Sequence, residues 1–542
     1  MKFFKFLLVL ILPLSAIAGV SLKNGNFYIS YTDILVPGGG HDLKTVRTYN
    51  SRATEIGWFG FGWGSDYETY ITVSADGSVV VHENGSGALT RFTPKEAVDP
   101  TAAANKIIEA MRKKTSLSEK VASNLRKKLV GDAEIRQAYA RKFNVKAKLA
   151  AGTILYSNTR GLQEMHKVKK GFKRIYNDGK VEYFNKSGKL TKVKDKNNYI
   201  VNFKYDKSNN LTSIKDSLAK QLFLSWYSDG KVKEVWSAGD KKVFYKYKGD
   251  NLVETKDVAG NVFKYEFDGH HNMTGIVYSD GSKKKISYNK KTQYVTEVVD
   301  RNGESTGYKY DSNSKNPDFH YWTIVTKKSA NGKASSNRFE YEIKTRPDGS
   351  QYTYRIVTEI NSFKTETIYS ECCSLPLKIT RGNHITTFEY NKKGLLTSKS
   401  STKGDYVRLK YHKKFNKITR VDNNKGFTDF SYDKRGNLSK AKNSAGKSVL
   451  LIYDRKGRII KMVDQDKISK NKKRVLTFKY NALGKPVEIA MLKVGKINVA
   501  YDNYGEIKKV ESKSGHKMAL QVTQAFQSLL AIVKPAGVNL NM

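Results

Sequence analysis

From about residue 171 onward, short runs of alternating apolar and polar residues are separated by clusters of Gly, Asn and Asp at a nearly constant interval. The stretch "NVFKYEFDGHHNMTGIVYSDG" (261–281) shows one unit. Alternation places Val262, Lys264 and Glu266 on one face and Phe263, Tyr265 and Phe267 on the other. The pattern predicts a strand ending in aromatics, a tight turn, a second short strand and another turn. Asp or Asn with Gly in the turns suits positive-φ hairpin geometry. Aligned on the closing aromatic, the units fall at Phe184, Tyr205, Trp226, Tyr247, Phe267 and Tyr288, at intervals of 20 or 21 residues. The register blurs between about 310 and 380. It resumes at Tyr390, Tyr411, Tyr432, Tyr453, Tyr480 and Tyr501, at intervals of 21 apart from one of 27.

A single such hairpin cannot bury its aromatic face alone, so neighbouring units must stack into one continuous sheet. Two segments break the β pattern. In 94–150, Asp99 and Pro100 read as N-cap and first residue of a helix. Ser116 with Glu119 reads as a capping box for a second helix, with Leu117, Val121, Leu125 and Leu129 as its apolar stripe. Asp132 caps a third helix. The segment is rich in Lys and Arg, which fits a lid, a contact for a partner or anionic surface, or a helical hairpin packed on a rim. At the C-terminus, Met518, Val522, Phe526, Leu529 and Val533 line one side of a fourth helix, expected to cap the exposed end of the stacked array.

The recurring Tyr-Asp-x-x-Gly-x-Leu/Ile, as in "YDKRGNL" (432–438), "YDRKGRI" (453–459) and "YDNYGEI" (501–507), resembles the Rhs/YD-repeat family. "RTYNSR" (47–52), "GWFGFGWGSDY" (57–67) and "HENGSGALTRFTP" (82–94) resemble the domain that precedes the repeats in that family. The resemblance implies a mainly β protein, in which a hairpin strip spirals into a partial or complete hollow shell. It also implies relatives among bacterial toxins whose shells enclose a toxic domain. This sequence departs from those relatives. Its one Asp-Pro, Asp99-Pro100, is far from the C-terminus, and no segment resembling their self-cleavage motif follows the repeats. With about sixteen repeat lengths, an open or half shell is expected. The expected divisions are 1–18 export signal, 19–93 N-terminal β domain, 94–152 basic helical insertion, 153–512 repeats and 513–542 C-terminal helix.

Composition refines the picture. The chain of 542 residues carries 33 Tyr and 24 Phe with a mean hydropathy of −0.58, too aromatic for disorder and too polar for a multi-pass membrane protein. Lys2 and Lys5, an apolar run to Leu14 and Ala16-Ile17-Ala18 read as a cleavable export signal, with cleavage after Ala18. No transmembrane segment is expected beyond it. The net charge of +46 draws polyanions through a salt-sensitive field, although a solvated lysine coat would look the same in sequence. Cys372 and Cys373 are adjacent and are the only cysteines; a buried thiol pair is the simplest expectation, beside a vicinal or intermolecular disulfide.

No P-loop, HExxH, GxSxG or paired CxxC is present. The glycines and Trp63 of "GFGWG" (60–64) read as packing, and His270-His271 as surface turn residues. No catalytic, cofactor-binding or metal-ligating residue is named, no cofactor is expected, and the expectation is a binding protein rather than an enzyme. Its expected partner is a glycan, an anionic envelope polymer or another cell surface, met through the repeat surface. The alternative is a separately encoded cargo polypeptide held in the shell. Specific nucleic-acid binding is not expected.

Overall fold

The computed structural model describes residues 17–36, 42–85, 87–95, 99–157, 162–237, 241–329, 331–372, 374–466, 472–502, 507–512 and 515–533. Most of the expected export signal, residues 1–16, therefore lies outside the described residues. The predicted cleavage point after Ala18 falls inside the first strand, Ile17–Val20.

The repeats form one antiparallel sheet of 33 strands, joined in strict sequence order from Ile154–Ser157 to Ile507–Ser512. The repeat consensus has a mechanical explanation. Each closing aromatic sits at a break in strand register, as at Lys246/Tyr247, Lys410/Tyr411 and Ser431/Tyr432, so one extra residue bulges there and the strand bends. The side chain then reaches back across the hairpin. Tyr247 donates its hydroxyl proton to Val232 O at 2.8 Å, Tyr411 to Leu396 O at 2.6 Å and Tyr432 to Ile418 O at 2.6 Å. Trp226 makes the same bond through its indole N–H, to Leu211 O at 2.8 Å. The Asp that follows shapes the turn: Asp433 Oδ1 accepts from the N–H groups of Arg435 and Asn437, both at 2.8 Å. Gly436 takes the φ of 76° that this turn requires.

The blurred stretch belongs to the same sheet. Its strands are longer, with Ala334–Thr345 at 12 residues and Gln351–Ile360 at 10, which throws the aromatics off the beat. Inward positions such as Val243, Tyr245, Ile276 and Val295 are buried, and alternate positions face out.

The N-terminal domain comprises a four-stranded sheet (Ile17–Val20, Phe27–Val36, Leu43–Asn50, Trp63–Ser65) and a three-stranded one (Tyr70–Val73, Val79–Glu83, Ala88–Phe92). Three helices follow: α1 (Pro100–Arg112), α2 (Glu119–Gly131) and α3 (Ala133–Lys142). Asp99 caps α1 and Asp132 caps α3. The cap of α2 is Ser118, not Ser116, because the helix begins at Glu119. Of the expected stripe, Leu129 is buried and Leu117 and Leu125 pack against the same cluster, while Val121 is 53 % exposed and neighbouring Ala122 is buried in its place. Helix α4 (Gly515–Val533) lies on the inward face of the last strands through Met518, Ala525 and Ile532; Phe526 is partly exposed beside Phe478. Cys372 is exposed and disulfide-bonded rather than a buried thiol; Cys373 lies outside the described residues.

Candidate binding surface

The strip closes on itself. Asn416 Nδ2 donates to Asn177 Oδ1 at 2.7 Å, and Lys196 Nζ donates to Gly436 O at 3.1 Å, across 239 and 240 residues. The turns holding Asn177 and Asn416 are separated by 21 strands, so one winding takes 21 strands and the 33 make about one and a half. The half shell expected from length is thus exceeded. At about 4.8 Å per strand, 21 strands give a circumference of about 100 Å and a backbone diameter of about 32 Å.

That bore is occupied by the chain itself. The N-terminal domain hydrogen-bonds to successive turns along one rim: Ile71 N to Gly188 O at 2.9 Å, Val232 N to Trp58 O at 2.8 Å, Phe61 N to Asp250 O at 2.7 Å and Val295 N to Gly25 O at 3.0 Å. Thr323 Oγ1 donates to Leu22 O at 2.6 Å. Laid flat, the strands from Gly188 to Thr323 would span about 60 Å. A domain of this size is about 29 Å across, so it reaches both ends only because the strip curls around it. His271 belongs to this contact: its ring stacks on Phe61 with centroids 4.4 Å apart, and its carbonyl accepts from Tyr49 OH at 2.8 Å. It is a docking residue, not a surface one.

Three buried arginines hold the N-terminal domain and the helices to the wall. Arg47 Nε donates to Asp33 at 2.8 and 3.0 Å, and its Nη2 donates to Tyr265 OH at 2.8 Å. Tyr245 OH donates to Asp33 Oδ2 at 2.8 Å. The guanidinium lies 4.4 Å from the Tyr31 ring and 4.5 Å from Trp63, so its charge is met by one carboxylate and aromatic faces. Arg174 grips Glu83 through two nitrogens at 2.7 and 3.1 Å. Arg136, on α3, donates to Asp348 O at 2.7 Å, and Ala133 N donates to Gly349 O at 3.1 Å, joining the helices to a turn of the wall. In sequence these arginines look like any others; only the RTYNSR motif marked Arg47.

The outward face alternates lysines, small polar residues and acids, with exposed ion pairs such as Lys246–Glu254 at 2.8 Å. One place differs. Phe223 and Trp236 stack across neighbouring strands with centroids 5.5 Å apart and planes at 17°, and Phe244 on the next strand is 41 % exposed. Lys242 lies 6.0 Å from the Trp236 ring, and Lys256 pairs with Phe244. The site is an aromatic patch edged by Lys242 and Lys256 and by one acid, Glu234, opposite Phe244, assembled by strand register from residues that the sequence disperses.

Among the described residues, one trio brings metal-capable atoms together: His320, Glu340 and Glu342. Its carboxylates are already engaged. Glu340 accepts from His320 at 2.9 Å and Arg338 at 3.0 Å, and Glu342 accepts from Arg355 at 2.6 Å. Burial would raise the Glu340 pKa, but these bonds hold it below the usual range. The group reads as an ion-pair network. The turn aspartates are likewise spent on backbone N–H groups.

Residues 18–92 match a family described as a domain of unknown function, DUF6531. No curated protein matches the chain. Among solved structures, the TcdB2-TccC3-Cdc42 crystal structure shares 9 % identity over 90 % of this chain, with a TM-score of 0.38. The Photorhabdus luminescens Tc holotoxin pore shares 10 % identity over 90 % of this chain, also at 0.38. This chain spans 29 % of the length of each. A likeness of this size says nothing about what the present chain binds.

Proposed function

We propose that this chain is an exported, self-filled spiral scaffold of the Rhs/YD type that works by binding at its outer surface. The observation that carries the reading is the occupied bore: the N-terminal domain sits within the first winding and α4 lies along the second. The N-terminal domain and α4 both cover inward wall that an enclosed domain would otherwise meet, which supports binding outside rather than inside. The outward face offers the Phe223–Trp236–Phe244 platform beside lysines. Aromatic planes take up the apolar faces of sugar rings, and lysines attract acidic groups, so the ligand class is an anionic polysaccharide of a cell envelope.

The test is binding of the purified mature protein to acidic polysaccharides and isolated envelope material, at low and high salt. A Phe223→Ala/Trp236→Ala double variant should bind at least about tenfold more weakly with an unchanged melting temperature. Equal binding by parent and variant would overturn the platform.

A second reading has its own observation. Tyr310, Tyr321 and Tyr341 are half-buried on the inward face, with the Tyr321 and Tyr341 rings stacked at 5.6 Å. Further along the strip, a cavity of about 450 Å³ is edged by Arg381, Lys399 and Lys425, with Asp405 as its one acid. This wall would hold an acidic extended or helical segment of a separate polypeptide. A native pull-down retaining such a chain through high salt would move this reading ahead.

A further inference from the structure

The seam between the two windings contains an electrostatic oddity. Lys196, from a turn of the first winding, and Lys417, from a turn of the second, both donate to the same carbonyl, Gly436 O, at 3.1 and 2.8 Å. A carbonyl carries no net charge, so two ammonium groups meet there around a neutral acceptor. The carboxylates facing Lys417 are Asp178 and Asp433; both favour its charged form, but neither makes a direct bond to it. Asp433 uses Oδ1 for two turn N–H groups and Oδ2 for Asn437 Nδ2 at 3.0 Å, while Asp178 Oδ1 accepts from Lys180 N at 2.9 Å. Asn197, beside Lys196, has a buried Oδ1 without a hydrogen-bond partner.

Against this cationic corner lies a cavity of about 690 Å³. Its lining includes Ile418, Val421, Phe430, Tyr432 and Tyr453 from the second winding, with Lys196 and Asn197 from the first. The volume falls within the range of about 300–1,000 Å³ usual for small-molecule sites, and such sites pair apolar walls with a few converging polar groups. Walls of this kind, with the two lysines at one end, suit a long apolar body carrying one anionic head better than free phosphate.

We propose that this seam cavity binds an amphipathic monocarboxylate, such as a medium-chain fatty acid, with its carboxylate between Lys196 and Lys417 and its apolar body among Ile418, Phe430, Tyr432 and Tyr453. Because the two lysines belong to different windings, the bound carboxylate bridges them and fastens the spiral closed. The electrostatics agree. Burial first, and then neighbouring Lys196, lower the Lys417 pKa to about 8. A carboxylate seated beside it restores the charge, so binding takes up a proton near that pH. The site is independent of what the outer face binds.

The experiment is titration calorimetry of the full mature chain with decanoate, with 1-decanol and inorganic phosphate as comparators. Decanoate should bind one to one, and Lys196→Met and Lys417→Met should each weaken it about tenfold. Ile418→Trp, which fills the cavity and leaves both lysines in place, should abolish binding. Circular dichroism melts establish that each variant is folded. Near pH 8.5 the binding heat should vary with buffer ionisation enthalpy in the parent and not in Lys417→Met. Absence of decanoate binding to the folded parent would overturn the proposal. So would unchanged affinity in both lysine variants, or phosphate binding as tightly as decanoate.

Discussion

At the scale of single residues, the repeat is held by side-chain bonds to backbone. The closing aromatic donates to a carbonyl 15 residues upstream at Tyr205, Tyr247 and Tyr453, so the consensus Tyr is selected for its hydroxyl as well as its ring. Tyr247→Phe keeps the ring and leaves Val232 O without this donor beneath the N-terminal domain. It should cost about 1–2 kcal/mol, read as a lower melting temperature, while Tyr501→Phe near the end of the strip should cost less. Glu68 supplies a pH test. Its Oε1 accepts from Trp58 N at 2.6 Å, its Oε2 is buried without a partner, and burial raises its pKa to about 8 against bonds from Trp58 and Ser65. A carboxyl raised in the fold contributes stability that is present below its unfolded pKa of about 4.5 and lost as pH rises through about 8. The melting temperature should therefore decline over that window in the parent. Glu68→Gln, which keeps the acceptor for Trp58, should flatten the profile and be the more stable protein at pH 9.

At the scale of elements, alternation and turn chemistry made the hairpins legible, and caps at Asp99 and Asp132 placed two helix starts. The α2 and α4 stripes are largely borne out: Leu117, Leu125 and Leu129 pack in one cluster and Met518, Val522 and Leu529 in another, and the exceptions are Val121 and Phe526 at the edges. Val121 faces outward because the apolar stripe passes through Ala122 at that turn of α2. What the helices touch lies outside sequence reasoning altogether. Ala133 N bonds to Gly349 O, and a Cβ at Gly349, which has a φ of +81°, would come within 2.9 Å of the Val130 carbonyl oxygen and the Gly131 carbonyl carbon. Gly349→Ala should therefore loosen α1–α3 from the wall without unwinding the strip. Faster tryptic cleavage within 113–148, with β-sheet circular dichroism retained, is the expected result.

At the scale of the whole molecule, closure and filling are what matter. Helix α4 covers Val449, Leu451, Met462 and Leu476 on the inward face, and Arg474 donates to Gln524 Oε1 at 2.8 Å. A chain ended after Ser512 should expose that face, bind a hydrophobic dye and self-associate, while the first winding keeps its protection against hydrogen exchange. The sequence by itself determined the repeat, the antiparallel sheet order and the absence of recognised catalytic motifs, because hairpin period and turn chemistry are local properties. It did not mark the platform of Phe223, Trp236 and Phe244, or the meeting of Lys196 with Lys417, since those depend on strand register and on where the strip returns. Curvature is the sum of many small bends, one bulge in each repeat, and no single residue encodes it. The tertiary structure alone decided that 21 strands make a winding, that the N-terminal domain packs against its wall, and which side chains stay exposed.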